Sequence, residues 1–300
     1  MKIDLKDQVA IVTGAGAGLG GAHALALAER GARVVVNDLN ADNAAEICQR
    51  IERSGGEAMA HPADVSRFDQ VQDMVAQAHE RWGKVDILVN NAGVLRDRTF
   101  AKMDLADFCL VLEVHLMGSV HCSKAVWDGM RERGYGRIVF TTSSSGLYGN
   151  FGQANYSAAK MGLVGLMQTL ALEGERYDIR VNALAPSAAT AMTNDLYPAE
   201  ALAGLGPELV SPAILALVGP QAPTRRILLA GAGSFEQANI TMTQGLYLGG
   251  GPSVADDLAS RLDEVAGRDG EMIPENGGLQ YQYEVDRALA TAQIPDSVEQ

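Results

Sequence analysis

The chain has 300 residues, 47% of them hydrophobic and 20% charged, which is enough apolar content for a large buried core and too much for a disordered chain. Its 24 Lys and Arg stand against 37 Asp and Glu, a net charge of −13. That balance argues against nonspecific nucleic-acid binding, which relies on cations displacing counterions from phosphate, and against docking on an anionic membrane. Cys48, Cys109 and Cys122 are far apart with no CxxC pair, so neither a disulfide framework nor a cysteine zinc site is expected, and metal sites are expected to be none. The charged start MKIDLKDQVA lacks a signal-peptide core, and no run of about 18 uncharged apolar residues marks a membrane helix, so the expectation is a cytoplasmic protein.

Short β-branched runs alternate with longer helical stretches. Residues 9–13 (VAIVT) read as a buried strand, followed by a glycine-rich turn over 14–21 and an Ala- and Leu-rich helix over 22–30. Residues 33–37 (RVVVN) form the next strand, 41–53 a helix, 57–61 a weaker strand and 67–81 a helix stopped by Gly83. The strand 85–90 (VDILVN) precedes a long helical region over 105–133. The strand 137–141 (RIVFT), a helix over 155–176 and strands at 179–184 and 226–229 complete the alternation. Continuous apolar strands separated by helices predict an α/β fold: a single-domain Rossmann, doubly wound parallel sheet of about seven strands with helices on both faces, over residues 1–250.

Residues 251–300 differ, with 11 acidic residues against 3 arginines. After a plausible hinge at Gly249-Gly250-Gly251-Pro252 they read as an acidic C-terminal extension, with short amphipathic helices over 255–265 and 283–290. It is either an appendage packed on the domain or a neighbouring subunit, or a mobile acidic tail.

Chemistry is expected where strands end. Gly14, Gly16, Gly18, Leu19 and Gly20 lie between the first strand and first helix, where glycines let backbone approach a pyrophosphate and the helix N-terminus offers free N–H groups. Asp38 ends the second strand, 18 residues after Gly20, where a carboxylate accepts the adenine-ribose hydroxyls and repels a 2′-phosphate, favouring NAD over NADP. Asp64 and Val65 follow the third strand, with Asp64 placed to accept from an adenine amino group; Asn91, Ala92 and Gly93 follow the fourth, where small residues let a ribose lie against the backbone. All of these also have ordinary readings as loop, turn or cap residues.

Tyr156 and Lys160 are four residues apart on one helix and share a face, so an ammonium can stabilise a phenolate and make an acid/base usable near neutrality. Ser143, 13 residues upstream of Tyr156, can hold the reacting oxygen beside the phenol, with Ser144 and Ser145 as alternatives.

Taken together, Thr13–Gly20, Asp64, Asn90–Gly93, Ser143, Tyr156/Lys160 and Pro186 stand in the order of the short-chain dehydrogenase/reductase family, and the resemblance covers about residues 5–250. The stretches VVVNDL (34–39), NNAGVLRDRTF (90–100), EVHLMGS (113–119) and SSGLYGNFGQANYSAAKMGLVGL (144–166) resemble more narrowly the (3R)-hydroxyacyl-CoA dehydrogenase domains of the peroxisomal multifunctional enzymes type 2, also called 17β-hydroxysteroid dehydrogenase type 4. The resemblance implies Tyr156 as general acid/base, Lys160 as ribose ligand and tuner of Tyr156, and Ser143 as the orienting hydroxyl. It places His115 where many relatives have an asparagine in a proton path, so His115 is either part of that relay or a hydrogen-bonded core histidine. It also implies that Pro186, Ala188 and Thr190 meet the nicotinamide carboxamide, although Ser187 stands where the family commonly has glycine.

The implied activity is NAD-dependent interconversion of a secondary alcohol and ketone, a (3R)-hydroxyacyl-CoA first and a hydroxysteroid or steroid-side-chain CoA second. A noncatalytic nucleotide-binding sensor is the reading outside this class. The implied partners are a small-molecule substrate (acyl-CoA or steroid) and other copies of the chain in a homotetramer or homodimer. Arg96, Arg98 and Lys102 are candidate ligands for an anionic CoA or a plain solvated face, and the apolar segment 191–210, with Met192, Leu196, Leu202 and Leu205, is the expected lid.

Overall fold

The computed structural model describes residues 3–190 and 198–292. The chain divides into two compact units between Ala238 and Asn239, ahead of the boundary expected at residue 250.

In the first unit the elements run β1 (Val9–Thr13), α1 (Gly18–Glu29), β2 (Arg33–Asn37), α2 (Ala41–Arg53), β3 (Ala58–His61), α3 (Phe68–Trp82) and β4 (Ile87–Asn90). They continue as α4 (Leu105–Leu112), α5 (Gly118–Arg133), β5 (Gly136–Thr141), α6 (Ser144–Tyr148), α7 (Ala154–Gly174), β6 (Ile179–Ser187), α8 (Ala199–Leu202), α9 (Ser211–Val218), β7 (Ile227–Gly231) and β8 (Ser234–Ala238). The sheet has eight strands in the order β3-β2-β1-β4-β5-β6-β7-β8, all parallel except β8. The chain order reverses between β1 and β4, so their C-terminal ends open the crevice in which doubly wound sheets bind ligands.

Alternate side chains of each strand face opposite covers. Ala10, Val12, Val34 and Val36 join a core with Leu27, Ile47 and Ile214 from α1, α2 and α9. Ile11, Val35, Leu88, Ile138 and Phe140 join a second core with Met74, Val126, Met130 and Met167 from α3, α5 and α7. Burial on both faces is why these strands read as unbroken apolar runs instead of alternating ones.

Four expectations change. The sheet gains an eighth strand, β8, antiparallel to β7 through a two-residue turn in which Ala232 (φ 50°) and Gly233 (φ 78°) are both left-handed, as this hairpin type requires. The helical region 105–133 is interrupted by a π-helical turn, Glu113–Met117. That stretch contains an 18-residue window of mean hydropathy 1.4, long and apolar enough by composition to cross a membrane, contrary to the expectation above. Its Val111, His115, Ser119, Cys122, Val126 and Met130 are nevertheless buried inside the unit, where its apolar side covers the sheet. Finally, β6 runs three residues further than expected, to Ser187.

The second unit is folded. A strip at 242–244 anchors it: Met242 pairs antiparallel with Met272, the Thr243 hydroxyl donates to Val265 O (2.8 Å), and Gln244 O accepts from the Tyr283 hydroxyl (2.9 Å) and Arg287 Nη1 (2.6 Å). The unit's helices are α10 (Val254–Ser260), α11 (Leu262–Val265) and α12 (Gly278–Ala292), the last two bonded to the strip, and the expected hinge at 249–252 lies inside this unit.

Candidate active site

A cavity of about 580 Å³ opens at the β1/β4 switch point. On one side it is lined by Gly14, Gly18, Leu19, Gly20, Asp38, Asn91, Ala92 and Gly93, and on the other by Ser143, Tyr156, Lys160, Pro186, Ala188 and Thr190. Almost all the sequence-predicted residues therefore share one cavity.

The nucleotide side is held by a small hydrogen-bond lattice. Thr13 Oγ1 accepts from the N–H groups of Asn91 (2.9 Å) and Ala92 (3.0 Å), while Asn91 Nδ2 donates to Thr13 O (3.0 Å) and Gly14 O (3.1 Å). These bonds tie the end of β1 to the end of β4 and bring the two turns into contact. Two glycines are required there: a Cβ on Gly14 (φ 60°) would lie 2.8 Å from Ala92 Cα, and one on Gly20 would lie 2.2 Å from Gly14 O. Glycine thus leaves a bare backbone surface at the start of α1, where N–H groups and the helix dipole attract an anion. Asp38 borders this surface, its Oδ2 accepting from Gly16 N (3.0 Å) and its Oδ1 from Asn40 N (2.9 Å). The bare turn, the helix start and the carboxylate beside them fit an adenine dinucleotide.

Asp64 and Val65 lie outside the lining of this cavity: Asp64 Oδ1 accepts from Ser66 N (2.9 Å) and Ser66 Oγ (2.7 Å), and the Val65 side chain is buried against Gly118 of α5.

On the reactive side, Ser143 follows β5 and caps α6, its Oγ accepting from Ser145 N (3.1 Å). Tyr156 sits in the first turn of α7 and Lys160 one turn later, with Lys160 Nζ 5.4 Å from the Tyr156 ring centroid. Helix α7 is pinned to the end of β5 by two bonds: Lys160 Nζ donates to Thr141 O (2.5 Å) and Thr142 Oγ1 donates to Lys160 O (2.7 Å). Gly146 lets α6 close on α7, since a Cβ there would lie 2.8 Å from Lys160 Cβ. Burial of the ammonium pushes Lys160 down from 10.5 to about 7.

His115 is a buried histidine set by the π-helical turn. Its Nε2 lies 3.0 Å from Val94 N and 2.8 Å from Val94 O, and its ring meets the Tyr156 ring edge-on at 5.2 Å. Nδ1 is buried with no hydrogen-bond partner among the described residues. Desolvation first, and the Lys160 charge second, lower its pKa to about 3, so the ring is neutral.

Thr190 faces Gly18, where a Cβ would lie 3.4 Å from Thr190 Cγ2, and Ala189 N donates to Leu205 O (2.6 Å), which ties the strand end to the predicted lid. Met192 and Leu196 lie outside the described residues. Sequence reasoning missed the wall formed by Leu95 and by Tyr148, Gly149, Asn150 and Gln153; the paired glycines at 149 and 152 between Ser143 and Tyr156 were its only sequence signal.

A doubly wound sheet with a glycine-lined crevice at its switch point, and a serine, tyrosine and lysine lining the same crevice, fits a nucleotide-dependent oxidoreductase acting on CH–OH groups. The chain belongs to the short-chain dehydrogenase family, whose model matches residues 8–201. It is 43% identical over 279 residues, 90% of this chain and 97% of the other, to a Mycobacterium tuberculosis protein described as a short-chain type dehydrogenase/reductase. It is 46% identical over 217 residues to the mouse peroxisomal multifunctional enzyme type 2, covering 69% of this chain but only 29% of that enzyme. The full-length Drosophila melanogaster enzyme of that name superposes over 98% of this chain and 51% of the other, at 32% identity and a TM-score of 0.83. A 7α-hydroxysteroid dehydrogenase complexed with NADH and a 7-oxo bile acid superposes over 78% of this chain and 96% of the other, at 33% identity and a TM-score of 0.72.

Proposed function

We propose that the chain is an NAD-dependent dehydrogenase that interconverts a (3R)-hydroxyacyl-CoA and its 3-ketoacyl-CoA. The observation that carries the reading is the convergence of Ser143, Tyr156 and Lys160 on one crevice, opposite Asp38. Resemblance to multifunctional enzymes and to an acetoacetyl-CoA reductase (37% identity over 253 residues) supports the thioester substrate.

The glycine turn, Asp38, Asn91–Gly93, Lys160 and the stretch Pro186–Thr190 would hold the cofactor, with Asp38 selecting the unphosphorylated ribose. Bound there, a nicotinamide supplies the hydride-accepting carbon. Tyr156 removes the substrate hydroxyl proton as base in oxidation and returns it as acid in reduction. Lys160, whose Nζ is already oriented by Thr141 O, supplies the positive charge that favours the phenolate. Ser143 donates to the substrate oxygen as its anionic character grows, a contribution of about 3 kcal/mol for such a donor. His115 holds the Tyr156 ring and Val94 in place as a neutral spacer.

The test is Tyr156→Phe. It should keep NAD binding and lose turnover at least about a thousandfold; undiminished turnover removes the proposed role. A second reading, oxidation of a free hydroxysteroid, is favoured by the superposition on the 7α-hydroxysteroid dehydrogenase. Comparing kcat/KM on hydroxyacyl-CoA and on hydroxysteroids separates the two.

A further inference from the structure

The rim of the cavity is built from two distant segments laced together. Arg98 N donates to Gly152 O (2.9 Å), Gln153 Nε2 to Asp97 Oδ2 (2.6 Å) and Asn155 Nδ2 to Arg96 O (3.0 Å). Gly152 is left-handed (φ 81°), and the nearest atom to a Cβ built there is the Arg98 carbonyl carbon, at 3.8 Å. The inner edge of this wall, Leu95, Tyr148, Asn150 and Gln153, lines the cavity.

The outer face of the same wall combines charge and aromatic surface. In a chain of net charge −13, segment 96–107 carries three cations and three carboxylates. The carboxylates are engaged: Asp97 holds Gln153, Asp104 caps α4 through Ala106 N (2.8 Å), and Asp107 pairs with Arg96 at 3.5 Å. Arg98 and Lys102 are exposed and have no ion pair among the described residues. Beside them, Phe100, Tyr148 and Phe151 are 75%, 69% and 88% exposed. The rim therefore presents aromatic faces and free cations side by side.

Unpaired cations with open aromatic faces suit a ligand that is both polyanionic and aromatic. We infer that this rim is a subsite for the nucleotide handle of a CoA thioester, with Arg98 and Lys102 meeting its phosphates and Phe151, the most open of the three rings, stacking on its adenine, while the acyl end passes Leu95 and Tyr148 toward Ser143. The inference rests on the thioester reading above and adds the residues that select the carrier.

The experiment compares a 3-hydroxyacyl-CoA with the same acyl group on N-acetylcysteamine, which lacks nucleotide and phosphates, using the full chain and saturating NAD. For Arg98→Ser/Lys102→Ser and, separately, Phe151→Ser, the CoA thioester should show KM raised about tenfold with kcat nearly kept. The truncated thioester should show no such rise. Added salt should weaken wild-type use of the CoA thioester and affect the charge variant less. Equal KM changes on both thioesters, or none on either, overturn the subsite. Wild-type turnover of both thioesters with equal KM also overturns it while leaving the dehydrogenase reading intact; turnover of hydroxysteroids alone overturns the thioester reading itself. A preference for an acyl group on an acidic carrier protein over CoA, lost in the charge variant, assigns the cations to a protein partner and overturns the nucleotide assignment.

Discussion

Gly93 and His115 occupy each other's space: a Cβ on Gly93 would lie 2.2 Å from His115 Cε1 and 2.8 Å from Nδ1. The imidazole thus rests on a bare backbone segment that lines the cavity and presents its edge to Tyr156. Gly93→Ala must push the ring toward Tyr156 or pull the turn away from it. The expected outcome is a loss of kcat of at least about tenfold, since misplacing a reacting group by around an ångström costs that much or more. Adding His115→Ala reopens the space, so the pair should be less impaired than the sum of the singles. A double-mutant cycle on kcat measures this, and simple additivity would show that the contact does not position Tyr156.

Asp38 has two engaged oxygens, one on Gly16 N and one on Asn40 N, and still faces the cavity. Its negative charge opposes a ribose 2′-phosphate, so Asp38→Asn should raise KM for NAD and lower it for NADP. The expected combined shift in cofactor preference is at least about tenfold, the size of one modest charge interaction. Parallel kinetics with the two cofactors read it. A wild-type preference for NADP would remove Asp38 as the selector.

Much of this was legible because the strands are buried on both faces. VAIVT, RVVVN and RIVFT are continuous apolar runs, and the glycine turn, Asp38, Ser143 and Tyr156 sit at or just after strand ends, so the topology alone brings them to one edge. Strand β8 was not legible: SFEQA is exposed along most of its length and has no apolar alternation, and its turn uses Ala232 in a left-handed conformation in place of the usual Asn or Gly. The bonds from Ser66 to Asp64 Oδ1 were equally hidden, because Ser66 is a loop residue whose bonding depends on local turn geometry. The π-helical turn that aims His115 inserts one residue without any change in composition.

His23 gives a pH prediction. It is fully buried in α1, with Nδ1 2.9 Å from Ser211 Oγ and Nε2 without a hydrogen-bond partner among the described residues, and burial lowers its pKa from 6.5 to about 3. Between those values the unfolded chain holds a proton that the folded chain refuses, so stability falls as pH drops from 6.5 toward 3. His23→Leu removes this contribution and should flatten the acid limb by up to about 1.4 kcal/mol per pH unit. Urea midpoints at pH 7, 6, 5 and 4, each about a unit apart, measure it. An unchanged slope would mean that the ring takes up its proton without unfolding.

Lys160 carries the same logic with a base. Its folded value of about 7, against 10.5 in solution, means that the unfolded chain binds more protons throughout that window. Stability without cofactor is therefore greatest above 10.5, falls as pH drops toward 7, and is flat below. Lys160→Met should abolish turnover yet stabilise the cofactor-free protein at neutral pH, despite losing the charge-assisted bond to Thr141 O, whose net worth is about 2 kcal/mol. The advantage should shrink steadily as pH is raised toward 10, because folding the wild type then no longer has to strip a proton from the lysine. Thermal or urea unfolding of both proteins across that range decides it. A variant less stable than wild type by the same amount at every pH would show that the ammonium is held by local contacts that offset its desolvation. The lysine would then be a structural peg of α7, and its charge would carry no folding cost for the site to recover on binding its ligand.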